Sequence, residues 1–322
     1  MTLLFRLARR LAALPLAFAL TAGALAQGYP NRPIKIVVAY PPGQSTDIAT
    51  RYFAAKLSAA LHEGVVVENR PGAFGNIGTA YAARATPDGY TLIMGASGTH
   101  AMNPALYDNI GFDAEKDFDP IVATAFIPMV ISVHPSLGVQ TLPELIKLAR
   151  SRPDKVDVAL PSVTAQLVLE MIRRQNVPLF SIKYKGSGEA MTALLGNQVP
   201  VLIDTVAASR AQFGRIKPLA VTSAKAMTAL PEIRPVAEQG LEGFSVVAWN
   251  ALMVPRGTPV EVRERLAAEM RKILALPETA KALHELGFEP APPMDYAQLV
   301  AWLRSERLTD AEIIRSAGMK AD

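Results

Sequence analysis

Short apolar runs alternate with amphipathic segments along most of the chain. Residues 34–40 form a β-branched run that ends at a proline pair, and residues 46–61 then repeat apolar positions at helical spacing. The same pattern predicts strands at 34–40, 65–68, 90–94, 121–126, 129–133, 156–160, 182–184, 199–203, 219–222 and 246–250. It predicts helices at 46–61, 76–84, 142–150, 164–174, 189–195, 262–274, 279–286 and 296–317. This alternation predicts an α/β protein with parallel sheets covered by helices.

The first 26 residues have the three-part pattern of a secretory signal peptide. A cationic start at 6–10 precedes an apolar stretch at 11–25, and Ala24-Leu25-Ala26 forms a small-residue cleavage site. The stretch is shorter than the roughly 20 apolar residues that a bilayer span requires. We therefore expect cleavage after Ala26 and export to the periplasm, rather than retention as an uncleaved anchor.

Composition narrows the chemistry that the chain can perform. The chain has 322 residues, of which 50% are hydrophobic and 19% are charged, enough for two compact lobes of about 150 residues each. It has no cysteine, which excludes a disulfide scaffold, a cysteine nucleophile and a thiolate zinc site. The formal net charge of +4 becomes about +1 without the three arginines of the signal peptide, and lysine and arginine form no long runs. We therefore expect no nucleic-acid partner, and the four scattered histidines predict neither a metal nor a cofactor.

Several loops that follow predicted strands are rich in glycine, serine, threonine or proline. They lie at 41–47, 95–103, 161–164, 184–188 and 204–207. In open α/β sheets, ligands collect at the carboxyl ends of the strands, next to helix N-termini. The N–H groups of a helix start, together with hydroxyl groups, suit an anion such as a carboxylate. Ordinary helix capping explains any one of these loops, but five of them on one side of the sheets favour a ligand cleft.

Motifs that would indicate nucleotide binding or nucleophilic catalysis are incomplete. Gly72, Gly75 and Gly78 are spaced by threes, which is not the spacing of a dinucleotide-binding turn and is more typical of a turn-rich loop. Ser97 lacks the second glycine of a nucleophile elbow. The sequence thus predicts no catalytic residue.

The roles of three further residues stay open at this level. His100 either touches a ligand or bonds within its own loop. Asp47 either binds an amino group of a ligand or stabilises the start of the following helix. Trp249 follows an apolar run and either packs at a hinge or lines the cleft.

A set of short motifs carries a family resemblance. The motifs are YPNRPI at 29–34, VVAYPPG at 37–43, VVVENRPGA at 65–73, PDGYTL at 87–92, NPALY at 103–107, KDF at 116–118, YKG at 184–186, LLGNQV at 194–199 and LAVT at 219–222. In this order, and from residue 29 to about residue 318, the chain resembles the Bug-type solute receptors of tripartite tricarboxylate transporter systems.

The resemblance implies a periplasmic-binding-protein fold of type II, with two α/β lobes and a ligand cleft at the hinge. Lobe I would comprise residues 27–124 and 247–322, and lobe II residues 125–246. It also implies a non-catalytic receptor that captures a small organic anion, a carboxylate, and delivers it to the membrane permease subunits of the transporter. We expect this receptor to be a monomer.

The resemblance also places the ligand-binding residues. In lobe I they would be Tyr40, Pro42, Gly43, Gln44, Ser45, Thr46, Asp47, Ser97, Thr99 and His100, and in lobe II Ser162, Thr164, Tyr184, Lys185, Gly186, Ser187 and Asp204. The serine and threonine hydroxyls would act as donors to the anion. Asp47 or Asp204 would select a hydroxyl or ammonium group of the ligand.

The chain departs from the family pattern at three places. Gln44 stands where the family has a second glycine, the loop at 160–167 is shorter and has Gln166 in place of a histidine, and Pro200 replaces an aspartate. Ligand identity is therefore not carried over. Two other functions remain open: an exported hydrolase or lyase with Asp47 and Asp204 as acid and base, and an input protein for a membrane sensor kinase.

Overall fold

The computed structural model describes residues 28–152 and 156–319, so the predicted signal peptide lies outside the described residues. The strands are β1 (Ile34–Val38), β2 (Val65–Asn69), β3 (Thr91–Ala96), β4 (Phe118–Val133), β5 (Asp157–Leu160), β6 (Phe180–Lys183), β7 (Val201–Thr205), β8 (Lys217–Val221), β9 (Val247–Pro255) and β10 (Glu289–Pro290). The helices are α1 (Ser45–Leu61), α2 (Asn76–Ala83), α3 (Asn103–Leu106), α4 (Leu142–Ser151), α5 (Val163–Arg173), α6 (Ser187–Leu195), α7 (Val206–Ser209), α8 (Val260–Ala275), α9 (Pro277–Leu286) and α10 (Tyr296–Ser316). Across these two ranges, no helix is both long and apolar enough to cross a membrane.

The strands form a mixed sheet in the order β2-β1-β3-β9-β4-β7-β5-β6, with β8 and β10 paired to β4. Strands β1, β2 and β3 are parallel to one another, and so are β5, β6 and β7. Strands β4 and β9 run antiparallel to their neighbours and connect the two parallel groups. The predicted parallel sheets are therefore correct only for these two groups.

Strand β4 is one long strand where the sequence predicts two. Its residues up to Pro128 pair with β9, and those from Met129 onward pair with β7 and β8. A proline interrupts a strand because it has no N–H for the ladder. Here Pro128 lies where the strand changes partner, so the missing donor interrupts no continuous ladder and the backbone stays extended.

The change of partner at Pro128 divides the molecule into two lobes. Lobe I contains the elements before it and from Val247 onward, and lobe II contains the elements between. The lobe boundaries expected at 124/125 and 246/247 stay predictions. The chain thus crosses from lobe I to lobe II along β4. It crosses back between β8 and β9, where the Val246 N–H donates to the Thr222 carbonyl at 2.9 Å.

Each lobe buries its own apolar core. In lobe I, α1 turns Phe53 and Leu57 toward the sheet, and both are almost completely buried. This is the helical spacing that the sequence shows. Helix α10 connects the lobes, because its Leu299 and Leu303 pack in the core of lobe I and its Ile314 packs in the core of lobe II.

Candidate functional site

A cavity of about 700 Å³ lies between the two lobes. Lobe I lines it with the loop after β1, the loop before α2 and the end of β3, and lobe II lines it with the loops after β5, β6 and β7. The sequence predicts these loops as the site because they follow the carboxyl ends of strands, with the exception of the loop before α2, which is not among the candidate loops.

Three helices begin at the cavity wall. Helix α1 begins with Ser45, α5 with Val163 and α6 with Ser187, and all three residues line the cavity. The first N–H groups of a helix have no partner within the helix and carry its positive partial charge. Because α1 comes from lobe I and α5 and α6 come from lobe II, both lobes direct N–H groups at the enclosed space.

Most of the predicted binding residues lie on the cavity wall. They are Tyr40, Gln44, Ser45, Thr46, Ser97, Ser162, Thr164, Tyr184, Lys185, Ser187 and Asp204. Four of the serine and threonine hydroxyls already have partners. Ser162 accepts from the Ala165 N–H at 3.2 Å, and Ser187 donates to Asp204 at 3.1 Å. Thr46 accepts from Asn250 Nδ2 at 3.2 Å, and Thr164 donates to Met102 Sδ at 3.7 Å.

Six predicted binding residues lie off the wall: Pro42, Gly43, Asp47, Thr99, His100 and Gly186. The Asp47 carboxylate accepts from the Gly43 N–H at 2.9 Å, from Asn69 at 2.8 Å and from Arg51 at 3.0 Å. Burial raises the pKa of Asp47, but these hydrogen bonds outweigh burial and hold the pKa below its ordinary value. Asp47 therefore fixes the turn before α1 and lies off the cavity wall.

His100 is fully buried behind the cavity wall. Its Nδ1 lies 2.8 Å from the Thr99 hydroxyl, and its ring packs edge-on against Phe118 at a centroid distance of 5.0 Å. Burial, assisted by the charge of Arg307, lowers the pKa of His100 to about 3, so the ring is neutral at pH 7. Of the two roles left open for His100, the structure favours the hydrogen bond within its own loop.

The glycines at 72, 75 and 78 shape one wall of the cavity. A Cβ atom at Gly75 would lie 2.6 Å from Thr99 Cγ2, and the residue has a φ of +96°. A Cβ atom at Gly78 would lie 2.5 Å from the Arg70 carbonyl oxygen. The close approach of Gly75 to the segment after β3, and of Gly78 to the loop after β2, therefore requires glycine at both positions. The spacing by threes is the signal in the sequence, although a sequence alone does not show what each glycine faces.

Some wall residues lie outside the predicted set of ligand-binding residues. Phe74, Ile127, Met129 and Thr205 line the cavity, and so does Trp249. Trp249 fulfils both of the roles left open for it, because it is 1% exposed and also packs against Trp302 with ring centroids 5.1 Å apart. These apolar side chains favour a ligand with a hydrocarbon part.

Asp204 is the most buried charged side chain on the wall, with 2% of its surface exposed. Its Oδ1 accepts from the Thr205 N–H at 2.7 Å and from Ser187. Burial raises the pKa of Asp204 to about 7, although these two hydrogen bonds oppose the shift. Lys183, Lys185 and Glu189 are the other charged residues on the wall.

A cavity enclosed by two α/β lobes that are joined by crossing strands is the architecture of a two-lobed solute-binding protein. Residues 49–319 match the family described as TctC, the tripartite tricarboxylate transporter family receptor, and the chain belongs to this family. The predicted family is thereby confirmed.

Individual relatives agree with this assignment. BugT of Bordetella pertussis is 32% identical over 303 residues, which is 92% of each chain. The structure of R. palustris Rpa4515 with adipate is similar with a TM-score of 0.88 and 32% identity, covering 91% of this chain and 99% of that chain. The periplasmic binding protein BugD is similar with a TM-score of 0.85 and 33% identity, covering 91% of this chain and 100% of that chain. The predicted periplasmic-binding-protein fold is confirmed by these structures.

Proposed function

We propose that the chain is an extracytoplasmic receptor that captures a small carboxylate between its lobes for a tripartite tricarboxylate-type transporter. The observation that carries this proposal is the meeting of three helix N-termini, from both lobes, at one cavity. Such N–H groups favour an anion, and an anion that bridges α1 and α6 stabilises the closed arrangement of the lobes.

The remaining wall chemistry supports a carboxylate ligand. Among the described residues, the wall has no arginine, so the anion would be bound by N–H and hydroxyl groups and through ordered waters. Lys183 at the end of β6 and Lys185 just after it lie on the wall and add positive charge there. The adipate in the similar R. palustris structure is a carboxylate with a hydrocarbon chain, which matches the mixed polar and apolar wall.

We propose no catalytic role. The acid–base alternative needs Asp47 and Asp204 in one site, but only Asp204 lies on the wall. Asp47 is bonded to Arg51 and Asn69 and has a lowered pKa, which makes it a poor proton donor or acceptor at neutral pH. A turnover assay with each bound acid tests this, and product formation would contradict it.

The proposal also covers the export of the receptor and the delivery of its ligand to the transporter. The precursor would be exported, cleaved after Ala26 and released to the periplasm, as the family predicts. The receptor would act as a monomer and present its closed lobes to the permease subunits of the transporter. No observation on this chain favours a sensor kinase as the partner.

Ligand binding is tested first with the mature chain. Mono-, di- and tricarboxylates are screened by thermal shift, because a ligand that binds only the native state raises the melting temperature. We expect at least one carboxylate, with adipate as the first candidate, to raise it, and native mass spectrometry of freshly purified protein to show a retained acid. No shift with any carboxylate would contradict the proposal.

Single hydroxyl variants then locate the ligand. We expect Ser97→Ala in lobe I and Thr164→Val in lobe II each to weaken binding about tenfold, since a hydrogen bond to a charged group contributes about 1.5–3 kcal/mol. Ser151→Ala, an exposed serine of α4 outside the cavity, is the matched control. Isothermal titration calorimetry measures the three affinities, and equal affinities would place the ligand elsewhere.

Closure of the lobes brings Gly186 against lobe I. A Cβ atom on Gly186 would lie 3.0 Å from Gln44 Nε2 and 3.3 Å from Pro41 Cγ. We expect Gly186→Val to hold the lobes apart and to raise the Kd at least about tenfold, because overpacking costs about 1–3 kcal/mol. With ligand present, the radius of gyration of Gly186→Val from small-angle scattering should exceed that of the wild type.

The control and the rescue use neighbouring positions. Gly188→Val is the matched control, since a Cβ atom there has no atom within 4 Å. Gln44→Gly, combined with Gly186→Val, removes the side chain that the valine meets and should restore part of the affinity. A Gly188→Val effect as large as that of Gly186→Val would show that helix α6, and not closure, is affected.

A further inference from the structure

The Asp204 carboxyl group has two oxygens in different surroundings. Oδ1 accepts two hydrogen bonds, from Ser187 and from the Thr205 N–H. Oδ2 is buried and makes no hydrogen bond to any described residue. Asp204 lies on the cavity wall beside the first turn of α6, where the proposed function places an anion.

We propose that the receptor binds its carboxylate ligand with Asp204 protonated, so that binding above neutral pH takes up one proton. This inference rests on the proposed function, because it concerns the charge state of the same site. The role differs from the one expected from the sequence, which is to select a hydroxyl or ammonium group of the ligand: the neutral side chain places no negative charge beside the bound anion.

The hydrogen bonds indicate which oxygen carries the proton. In a neutral carboxylic acid, one oxygen accepts and the other bears the proton and donates. Since both donors near Asp204 point to Oδ1, the proton belongs on Oδ2. A buried ionised Oδ2 without a donor would carry a large desolvation cost, which protonation removes.

Little in the surroundings stabilises the ionised form of Asp204. The charged groups that share its cavity wall are Lys183 at the end of β6, Lys185 after β6 and Glu189 in α6. Of the charged groups on other packed elements, Asp47 of α1 is bonded to Arg51, and Arg210 after α7 donates to the His284 and Glu285 carbonyls. In β4 the residue opposite Asp204 is Val130, and in β5 the cavity end is Leu160.

Burial accordingly raises the pKa of Asp204 to about 7 before any ligand enters. An anion placed in the same cavity would repel an ionised Asp204 and favour the neutral form further. When one ligand carboxylate binds above neutral pH, an ionised Asp204 therefore takes up one proton from the solvent. The product is a neutral Asp204 beside the bound carboxylate. A ligand with an ammonium group at this position would reverse the balance and release a proton.

The experiment measures binding of adipate to the mature protein between pH 6 and pH 9. We expect the Kd to change little near pH 6 and to rise by up to about 50-fold between pH 7 and pH 9, as one linked proton with a pKa of about 7 requires. Calorimetry at pH 8 in buffers of different ionisation enthalpy should show uptake of close to one proton. Release of a proton, or no exchange, would overturn the inference.

A matched pair of variants assigns the proton. Asp204→Asn should remove the pH slope and the proton uptake. Asp310→Asn should retain both, although Asp310 is also a buried acid whose pKa is raised to about 7, by burial and by Glu306, because it lies on α10 away from the cavity wall. A slope that persists in Asp204→Asn would overturn the assignment.

A measurement without ligand separates this inference from the proposed function. The Asp204 carboxyl carbon of the ligand-free protein is titrated by ¹³C NMR, with Asp204→Asn used to assign the signal. A pKa above about 6 is expected, and one in the ordinary range near 4 would overturn the inference. If no carboxylate binds at all, the proposed function fails, and the NMR titration still decides the state of Asp204.

Discussion

Replacing Thr222 by valine is expected to lower the free energy of unfolding by about 2–4 kcal/mol, since each buried polar group left without a partner costs about 1–3 kcal/mol. Thr222 is completely buried where the two lobes join. Its hydroxyl accepts from the Met129 N–H at 3.0 Å and donates to the Val246 carbonyl at 2.6 Å. Valine has nearly the same shape, so it removes these two bonds without opening a cavity.

Thr222→Ser is the control for this prediction. Serine retains the hydroxyl and loses a methyl group, which costs roughly 1 kcal/mol. Urea denaturation measures both variants against the wild type, with the m-value as a check that unfolding stays two-state. An equal loss in the two variants would show that the methyl group matters and the hydroxyl does not. Because Met129 and Val246 belong to the two crossings, we also expect Thr222→Val to weaken ligand binding.

Replacing Trp249 by alanine is expected to lower the free energy of unfolding by about 3–5 kcal/mol, the usual range for a buried large aromatic residue. Trp249 is 1% exposed and packs edge-on against Trp302, which in turn packs against Phe126 at a centroid distance of 5.7 Å. The same ring lines the cavity, so its loss also enlarges the binding site. We therefore expect a lower melting temperature and a higher Kd for the carboxylate.

Trp302→Ala separates the two effects of Trp249. Trp302 packs in the same aromatic group but does not line the cavity. We expect this variant to lose stability and to keep most of its ligand affinity. Thermal unfolding and calorimetry measure both quantities, and a similar loss of affinity in the two variants would contradict a direct contact between Trp249 and the ligand.

The sequence predicts the longer helices and most strands because each has a local cause, but it does not predict the four-residue helices α3 and α7. In α1 the apolar positions recur at helical spacing, and the prediction from residue 46 differs from the observed start at Ser45 by one residue. The prediction is wrong for 121–133, where Pro128 suggests a break between two strands. Pairing with β9 on one side of Pro128 and with β7 and β8 on the other decides that β4 is continuous.

The candidate site was likewise predicted only in part from the sequence. Hydroxyl-rich loops after strands indicate the wall, and Ser45, Ser97 and Thr164 are found there. The loop position of His100 and Asp47 suggests ligand contact equally well, but both turn away from the cavity. Packing against Phe118 for the first, and the hydrogen bond from Asn69 for the second, come from parts of the chain that a local pattern cannot contain.

The sequence by itself determined that the chain is an α/β protein of this receptor family, because strand and helix signals, turn residues and motif order are all local properties. Only the tertiary structure decided which side chains meet at the cavity. The burial of Asp204, the edge-on packing of Trp249 and the approach of Gly186 to Gln44 all depend on segments distant in the chain. Desolvation and steric fit act between whatever atoms the fold brings together, and they have no counterpart in residue spacing.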